Sequence, residues 1–301
     1  MEEEECVLKA IDSEEDSDVD DPCMEVEEDR EWFQKVRLLQ TDRDGSRVEA
    51  RVGNISLYGI SFCGLKPGQW LGDEVIDAYL FCVVKQESQK CQQVQAISSV
   101  ISTTILNGTA RSCFSMKREM ITKDIVLLPF NSSNHWVIGI ALMAKKELLI
   151  IDPLCQETKY VEEWLKNWRA FLFRDRSKGT IGWKTKVLEH KAQSDGHNCG
   201  PLILRFAESY LLEEDIRTVE TTEEAMNIFR RKIAIRLLQE SDSVEDYCIY
   251  CSFMTCTQKK DCMMVQCDSC KRWAHVLCIP GGISEDILHD EHKEYKCKKC
   301  A

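Results

Sequence analysis

Two groups of residues in this chain have the types and spacings of reactive chemistry. The first runs His135, Asp152, Gln193, Cys199, with Asp152 seventeen positions after His135 and Cys199 six after Gln193. Cys199 lies in "SDGHNCGPLILR" (194–205), a polar, glycine-bearing stretch that passes into an apolar one. A thiol is a nucleophile only as the thiolate, and a helix N-terminus and a neighbouring imidazolium both favour that form. Pro201 is tolerated in a first helical turn, so the pattern predicts a helix over 199–212 with Cys199 at its start. Three histidines are candidate partners: His135, His190 and His197. His135 opens one apolar run and Asp152 closes the next, so a hairpin of the two brings both out at the same end. A carboxylate there orients the imidazole and favours its charged form. Gln193, in the loop ahead of Cys199, has an amide suited to a developing oxyanion, alongside the Cys199 backbone N–H. Each residue alone has an ordinary reading as core thiol, structural histidine or strand-ending aspartate. The ordered set does not.

The second group is C-terminal. Nine of the seventeen cysteines fall between 248 and 300. Cys248/Cys251, Cys267/Cys270 and Cys297/Cys300 are C-x-x-C pairs, and His275-x-x-Cys278 stands between the last two. Seven thiolates and one imidazole make two sets of four soft donors, the set structural zinc takes. Two structural Zn2+ ions are therefore expected, and no cofactor for chemistry at Cys199. Cys256 and Cys262 are spare, or one replaces a ligand. Clustered cysteines in a chain without an apolar leader point to metal rather than disulfides. So short a segment has little core and is expected to need its metal to fold.

The elements that must position these groups are legible as an α+β pattern. "WLGDEVIDAYLFCVVKQ" (70–86) puts Leu71, Val75, Ile76, Tyr79, Leu80 and Val83 on one helical face. "IVLLPF" (125–130), "HWVIGIAL" (135–142) and "LLIID" (148–152), separated by "NSSN" and "AKKE", read as three consecutive strands. "TTEEAMNIFRRKIAIRLLQE" (221–240) reads as a helix with a capping box of Thr221 and Glu224. Residues 1–30 hold fifteen acidic and two basic residues, whereas the rest of the chain is near neutral. Such a tail repels itself and is expected to be disordered, with Ser13 and Ser17 open to phosphorylation. The domains are then a tail (1–30), a central domain (31–242) and, past the polar joint "SDSVED" (241–246), a cysteine-rich module (246–301). No apolar run is long enough for a bilayer, so a soluble chain made in the cytosol is expected, without membrane association. Nothing in the pattern points to direct nucleic-acid binding, and the basic run "RRK" (230–232) is short for an import signal.

Residues 50–240 resemble the ubiquitin-like protease family, the SUMO proteases of the sentrin-specific type, within the papain-like cysteine proteases. "GQWLGDEVIDAYL" (68–80) is similar to that family's Trp-Leu-Asn-Asp-x-x-Ile helix start. "NHWVIGIAL" (134–142) is similar to its His-Trp strand, "LLIIDPL" (148–154) to its Asp-bearing strand, and "QSDGHNCGPLI" (193–203) to its Gln-to-Cys loop. The resemblance implies His135 as general base and acid, Asp152 as its orienter, Gln193 as oxyanion donor and Cys199 as nucleophile. The substrate would be a ubiquitin-like modifier, SUMO first, cut after its Gly-Gly tail. Trp70 and Trp136 would clamp that tail, with Asp73 beside it, because only residues without side chains thread between two indoles. Gly72 departs from the family's Asn, and Asn198 from the Asp that often precedes the nucleophile. "VLKAIDSEEDSD" (7–18) faintly resembles a SUMO-interacting motif. Other readings are a viral or mobile-element processing protease and a catalytically silent reader.

The order of the C-terminal ligands, with histidine fifth, resembles a PHD (plant homeodomain) finger, as does "MMVQCDSCKRWAHVLC" (263–278). That implies a cross-brace: Cys248, Cys251, His275 and Cys278 on one ion, Cys267, Cys270, Cys297 and Cys300 on the other. It also implies histone-tail binding, with Tyr247, Met264 and Trp273 where methyl-lysine cage residues stand, and location in the nucleus, with the cytoplasm second.

Overall fold

The computed structural model describes residues 27–41, 45–88, 93–110, 114–172, 182–289, 292–298 and 300–301. The acidic stretch 1–26, with Ser13, Ser17 and the motif at 7–18, lies outside the described residues. Helix α1 (Glu27–Thr41) begins within the region assigned to the tail. Trp32, Val36 and Leu39 recur at helical spacing, and Val36 and Leu39 are buried in the core, so this stripe seats the helix.

Strands β1 (Val48–Val52) and β2 (Ile55–Tyr58) form an antiparallel hairpin that leads into the short helix α2 (Gly59–Cys63). Helix α3 (Asp73–Ser88) buries Val75, Ile76, Tyr79, Leu80 and Val83, the face expected. It starts three residues later than the pattern predicts. The Leu71 carbonyl instead accepts a hydrogen bond from the Trp136 indole (3.1 Å), which holds Trp70 and Leu71 in a segment ahead of the helix.

Next come β3 (Val94–Ala96), α4 (Ser99–Leu106), α5 (Phe114–Met120), β4 (Ile125–Ser132), β5 (His135–Leu142), β6 (Glu147–Ile151), α6 (Val161–Leu172) and β7 (Lys184–Val187). The strands make one sheet in the order β3-β4-β5-β6-β7. Its centre, β4-β5-β6, is the antiparallel meander expected, and β3 and β7 add parallel strands at the edges. Period-two alternation divides β5 between two cores. Trp136, Ile138 and Ile140 join the core shared with α1, α3, α7 (Cys199–Leu211) and α8 (Glu223–Gln239). Val137 and Ala141 join the core against α4 and α6. The cap of α8 is Thr222, whose hydroxyl accepts the Ala225 N–H (3.3 Å), not Thr221. Thr221 donates its hydroxyl to the Ala192 carbonyl instead (3.0 Å), which ties α8 to the loop ahead of Cys199.

The C-terminal module carries the hairpin β8 (Met264–Gln266) and β9 (Trp273–His275) and a one-turn helix, α9 (Glu285–His289). The joint before it lies along β1. The Arg51 N–H donates to Ser241 Oγ (2.8 Å) and the Asp242 N–H to the Arg51 carbonyl (2.7 Å). The buried Arg272 of the module donates to the Val48 carbonyl (3.1 Å), and the Arg51 guanidinium lies over the Tyr247 ring. Among the described residues no helix is long and apolar enough to cross a membrane.

Candidate active site and metal centres

A two-residue turn delivers the histidine. Ser133 and Asn134 both have positive φ (52° and 65°), the pair of values that a tight hairpin turn with the right-handed twist of its strands requires. His135 is therefore the first residue of β5. The β5–β6 register pairs Ile138 with Ile151, and one more step sets Asp152 opposite Val137, diagonally adjacent to His135. The two side chains meet: His135 Nε2 lies 2.6 Å from Asp152 Oδ1. Asp152 is fully buried, and its Oδ1 also accepts the Leu154 N–H (2.9 Å).

Cys199 lies beside the same histidine: its Sγ is 4.0 Å from the carbonyl of Asn134, the residue before His135. Cys199 is the first residue of α7, and the Asn198 side chain does not cap that helix. The first-turn N–H groups, that of Cys199 among them, thus keep the free donors and positive end that suit an anion. Gly200 permits the approach, since a Cβ there would stand 3.0 Å from Leu71 Cβ. Burial pulls the His135 pKa down. Hydrogen bonds to Asp152 and Cys199, and their negative charge, outweigh it and raise the value to about 9. A charged imidazole against a thiol at a helix start is the arrangement that makes a sulfur nucleophile.

His190 and His197 are not brought to the thiol. His190 is buried between Glu157 (3.4 Å) and Cys155 (3.7 Å), and burial lowers its pKa. His197 Nδ1 lies 3.7 Å from Asp195 Oδ1. Gln193 is in the expected loop, but its amide N–H groups are engaged by Asp195, at 2.6 Å to the carbonyl and 3.1 Å to Oδ1. Trp70 is 55 % exposed at the rim, its indole N–H on the Gly196 carbonyl (3.0 Å). Trp136, expected as a second wall, is instead core, 3 % exposed, because position 136 points to the inward face of β5. Asp73 is exposed at the start of α3.

Three residues that sequence reasoning passed over serve this site. Glu157 is buried and accepts the Asp152 N–H (3.2 Å). Asp195 accepts the N–H groups of His197 (2.9 Å) and Asn198 (2.8 Å) on Oδ1, and these bonds hold its pKa low despite burial. Arg230, legible only as part of a short basic run, is fully buried. No sequence signal marks Glu157 or Arg230.

The cysteine module falls into the two expected sets. Donor atoms of Cys248, Cys251, His275 and Cys278 all lie within 4.8 Å of one another, and so do those of Cys267, Cys270, Cys297 and Cys300. Backbone N–H groups of His275 and Cys297 point at the sulfurs of Cys248 and Cys267 (3.3 Å each), as they do for anionic sulfur. Burial and the neighbouring sulfurs push the thiols of Cys278 and Cys300 up, so each cluster resists ionising fully unless a cation joins it. Four soft donors of that kind fit zinc. Cys256 lies 3.8 Å from Cys278, outside both sets. Of the cage residues, Met264 and Trp273 are on paired strands, whereas the Tyr247 ring is covered by Arg51.

Comparison with known proteins places the central region. Residues 69–244 match the pattern of the Ulp1 protease family, C-terminal catalytic domain. The chain belongs to the Ulp1 protease family. It is 24 % identical over 220 residues to ubiquitin-like-specific protease 1A of Arabidopsis thaliana, covering 67 % of this chain and 43 % of that one. It is 23 % identical over 185 residues to sentrin-specific protease 2 of Rattus norvegicus, covering 58 % of this chain and 31 % of that one. This chain thus matches less than half the length of either relative. Among solved structures, the Ulp1-like SUMO protease catalytic domain of Chaetomium thermophilum superposes with a TM-score of 0.59 at 19 % identity, over 70 % of this chain and 89 % of that one. The yeast Ulp1 protease domain in complex with the SUMO orthologue superposes with a TM-score of 0.58 at 21 % identity, over 71 % and 96 %. The Ulp1 fold is therefore established for the central domain, with the His135, Asp152 and Cys199 constellation inside the matched region.

Proposed function

We propose that this chain is a cysteine protease that cleaves after the Gly-Gly terminus of a ubiquitin-like modifier, SUMO first, by deconjugation or processing. One observation carries the reading: within a Ulp1-family fold, the imidazole paired with Asp152 at 2.6 Å stands beside Cys199, the first residue of α7, whose Sγ lies 4.0 Å from the carbonyl of Asn134, the residue before His135. The Cys199 thiolate attacks the carbonyl carbon of the terminal glycine. The carbonyl electron pair moves to oxygen, beside the Cys199 N–H. Collapse of this intermediate breaks the C–N bond, and the His135 imidazolium gives its proton to the leaving amine. The resulting thioester is attacked by water, which loses its proton to His135; the C–S bond breaks and the Cys199 thiolate is restored beside the imidazolium. Asp152 holds the ring so that one nitrogen faces the thiol throughout. Gln193 serves as a second oxyanion donor if substrate draws its amide from Asp195. Trp70, exposed at the rim, covers the glycines.

The decisive experiment is labelling with electrophilic C-terminal probes of SUMO and of ubiquitin, comparing wild type with Cys199→Ala. Labelling by one probe, lost in the variant, upholds the reading and names the modifier. A folded wild type that no probe labels refutes it in favour of polypeptide processing or silent binding.

For the module, the reading is a PHD-type cross-brace. Its eight donors would hold two zinc ions, whose charge neutralises the clustered thiolates. Histone-tail binding, and with it nuclear location, is supported by the ligand order and by Met264 and Trp273. Tyr247 would have to leave Arg51 to contribute. Titration of histone-tail peptides into the Cys199→Ala chain tests this, with no binding by any methylation state as the negative result.

A further inference from the structure

Arg230 is a fully buried guanidinium in the middle of α8. An arginine side chain has five N–H donors, and here all five are used. Nη1 donates to the carbonyls of Gly64 (3.1 Å) and Lys66 (3.2 Å). Nη2 donates to the carbonyls of Gln69 (2.6 Å) and His197 (3.0 Å). Nε donates to Asn198 Oδ1 (3.0 Å). Three of these bonds go to the segment that ends at Trp70, and two to the residues immediately before Cys199. A sixth bond, from the Trp70 indole N–H to the Gly196 carbonyl (3.0 Å), joins the same two segments directly. Burial draws the Arg230 pKa down to about 10, so the group stays charged at neutral pH.

Asn198 relays this anchor. Its Oδ1 accepts from Arg230 and its Nδ2 donates to Asp195 Oδ2 (2.7 Å). Asp195 Oδ1 in turn gathers the N–H groups of His197 and Asn198. An amide can accept from a guanidinium on one side and donate to a carboxylate on the other, which an ionised carboxylate at 198 cannot do. The family resemblance leads one to expect an aspartate before the nucleophile, and here the carboxylate has moved three residues upstream. An aspartate at 198 would face the Asp195 carboxylate at hydrogen-bond distance. Exchanging the two residues would restore the bond with its direction reversed.

We propose that Arg230, Asn198 and Asp195 form one positioning unit that sets the Cys199 loop and the Trp70 loop in register. None of the three touches the reacting atoms. They act through where the nucleophile and the rim indole stand. The proposal rests on the cysteine-protease reading.

The test compares Asn198→Asp, the exchange Asp195→Asn/Asn198→Asp and Arg230→Lys with wild type, all in the full zinc-loaded chain. The main readout is the rate of iodoacetamide alkylation of Cys199, followed by mass spectrometry of its peptide, which needs no knowledge of the modifier. Circular dichroism and thermal unfolding report folding. Asn198→Asp is expected to slow alkylation at mildly alkaline pH by about tenfold or more, as like charges are forced together, and to approach wild type at mildly acidic pH, where one carboxyl takes a proton. The exchange variant is expected to return to within about threefold of wild type, because the two sites are coupled. Arg230→Lys keeps the charge but has three donors for five acceptors, so probe labelling is expected to fall on the order of 100-fold while unfolding stays cooperative. An Asn198→Asp protein within about twofold of wild type overturns the proposal, as does an exchange variant no faster than Asn198→Asp. Should Asn198→Asp or Arg230→Lys not fold, the exchange variant decides alone: folded and fast upholds the unit, slow or unfolded refutes it. A wild-type Cys199 that reacts no faster than the exposed Cys155 overturns the protease reading, and this unit with it.

Discussion

The pairing of His135 with Asp152 makes a quantitative prediction. The imidazole titrates at about 9 rather than its ordinary 6.5. That difference corresponds to about 3 kcal/mol in favour of the charged ring, an upper value because the side chain is 20 % exposed and partly screened. The stabilisation comes from Asp152 and Cys199 together, against burial. Asp152→Asn keeps the shape and a hydrogen bond but removes the charge, so the His135 pKa is expected to fall by about 1–2 pH units. Because the folded-state value lies above the unfolded one, the contribution to stability is complete below about 6.5 and is lost as pH rises through about 9. The stability margin of wild type over Asp152→Asn should therefore be widest at acidic pH and narrow across that window. The direct assay is NMR titration of the His135 ring protons. The alkaline limb of kcat/KM should move down with them, since the imidazolium is the proton donor to the leaving amine. If His135 titrates in Asp152→Asn where it does in wild type, the carboxylate does not hold the imidazolium, and the assignment of the pair is wrong.

Gln193→Ala should lower kcat on the order of 100-fold with little change in KM if the amide reaches the oxyanion, and steady-state kinetics will show it. Gly200→Ala places a methyl 3.0 Å from Leu71 Cβ, so thermal unfolding should show a loss of about 1–3 kcal/mol and Cys199 labelling should slow. Trp136→Ala opens a cavity beneath the site and should cost about 3–5 kcal/mol of stability, whereas Trp70→Ala, at an exposed position, should raise KM with little change in melting temperature. Elemental analysis should find two zinc ions per chain, and chelation should abolish hydrogen-exchange protection across 246–301, where little apolar core remains to hold the module.

The sequence by itself determined a good deal. Alternation and turn residues marked β4, β5 and β6, and the Pro201 helix start marked α7, because these depend on local periodicity and backbone preference. The order of His135, Asp152 and Cys199 was readable because a hairpin and a helix start leave few places for the three to meet. The C-x-x-C pairs were readable because metal chemistry fixes ligand spacing. What folding decided was which long-range partner each polar group finds. Thr222 rather than Thr221 caps α8 because Ala192 claims the Thr221 hydroxyl. Trp136 is core and Trp70 is rim because of strand parity and the Leu71 carbonyl. The joint at 241–246 docks on β1 because the edge of that strand offers unpaired backbone groups. Arg230 looks like surface charge in the sequence, and becomes a buried anchor because three carbonyls from 64–69 and one at 197 converge where only the assembled fold can place them. Periodicity and spacing are properties of a short stretch of chain. The satisfaction of a buried guanidinium is a property of segments more than a hundred residues apart, and only the tertiary structure brings those together.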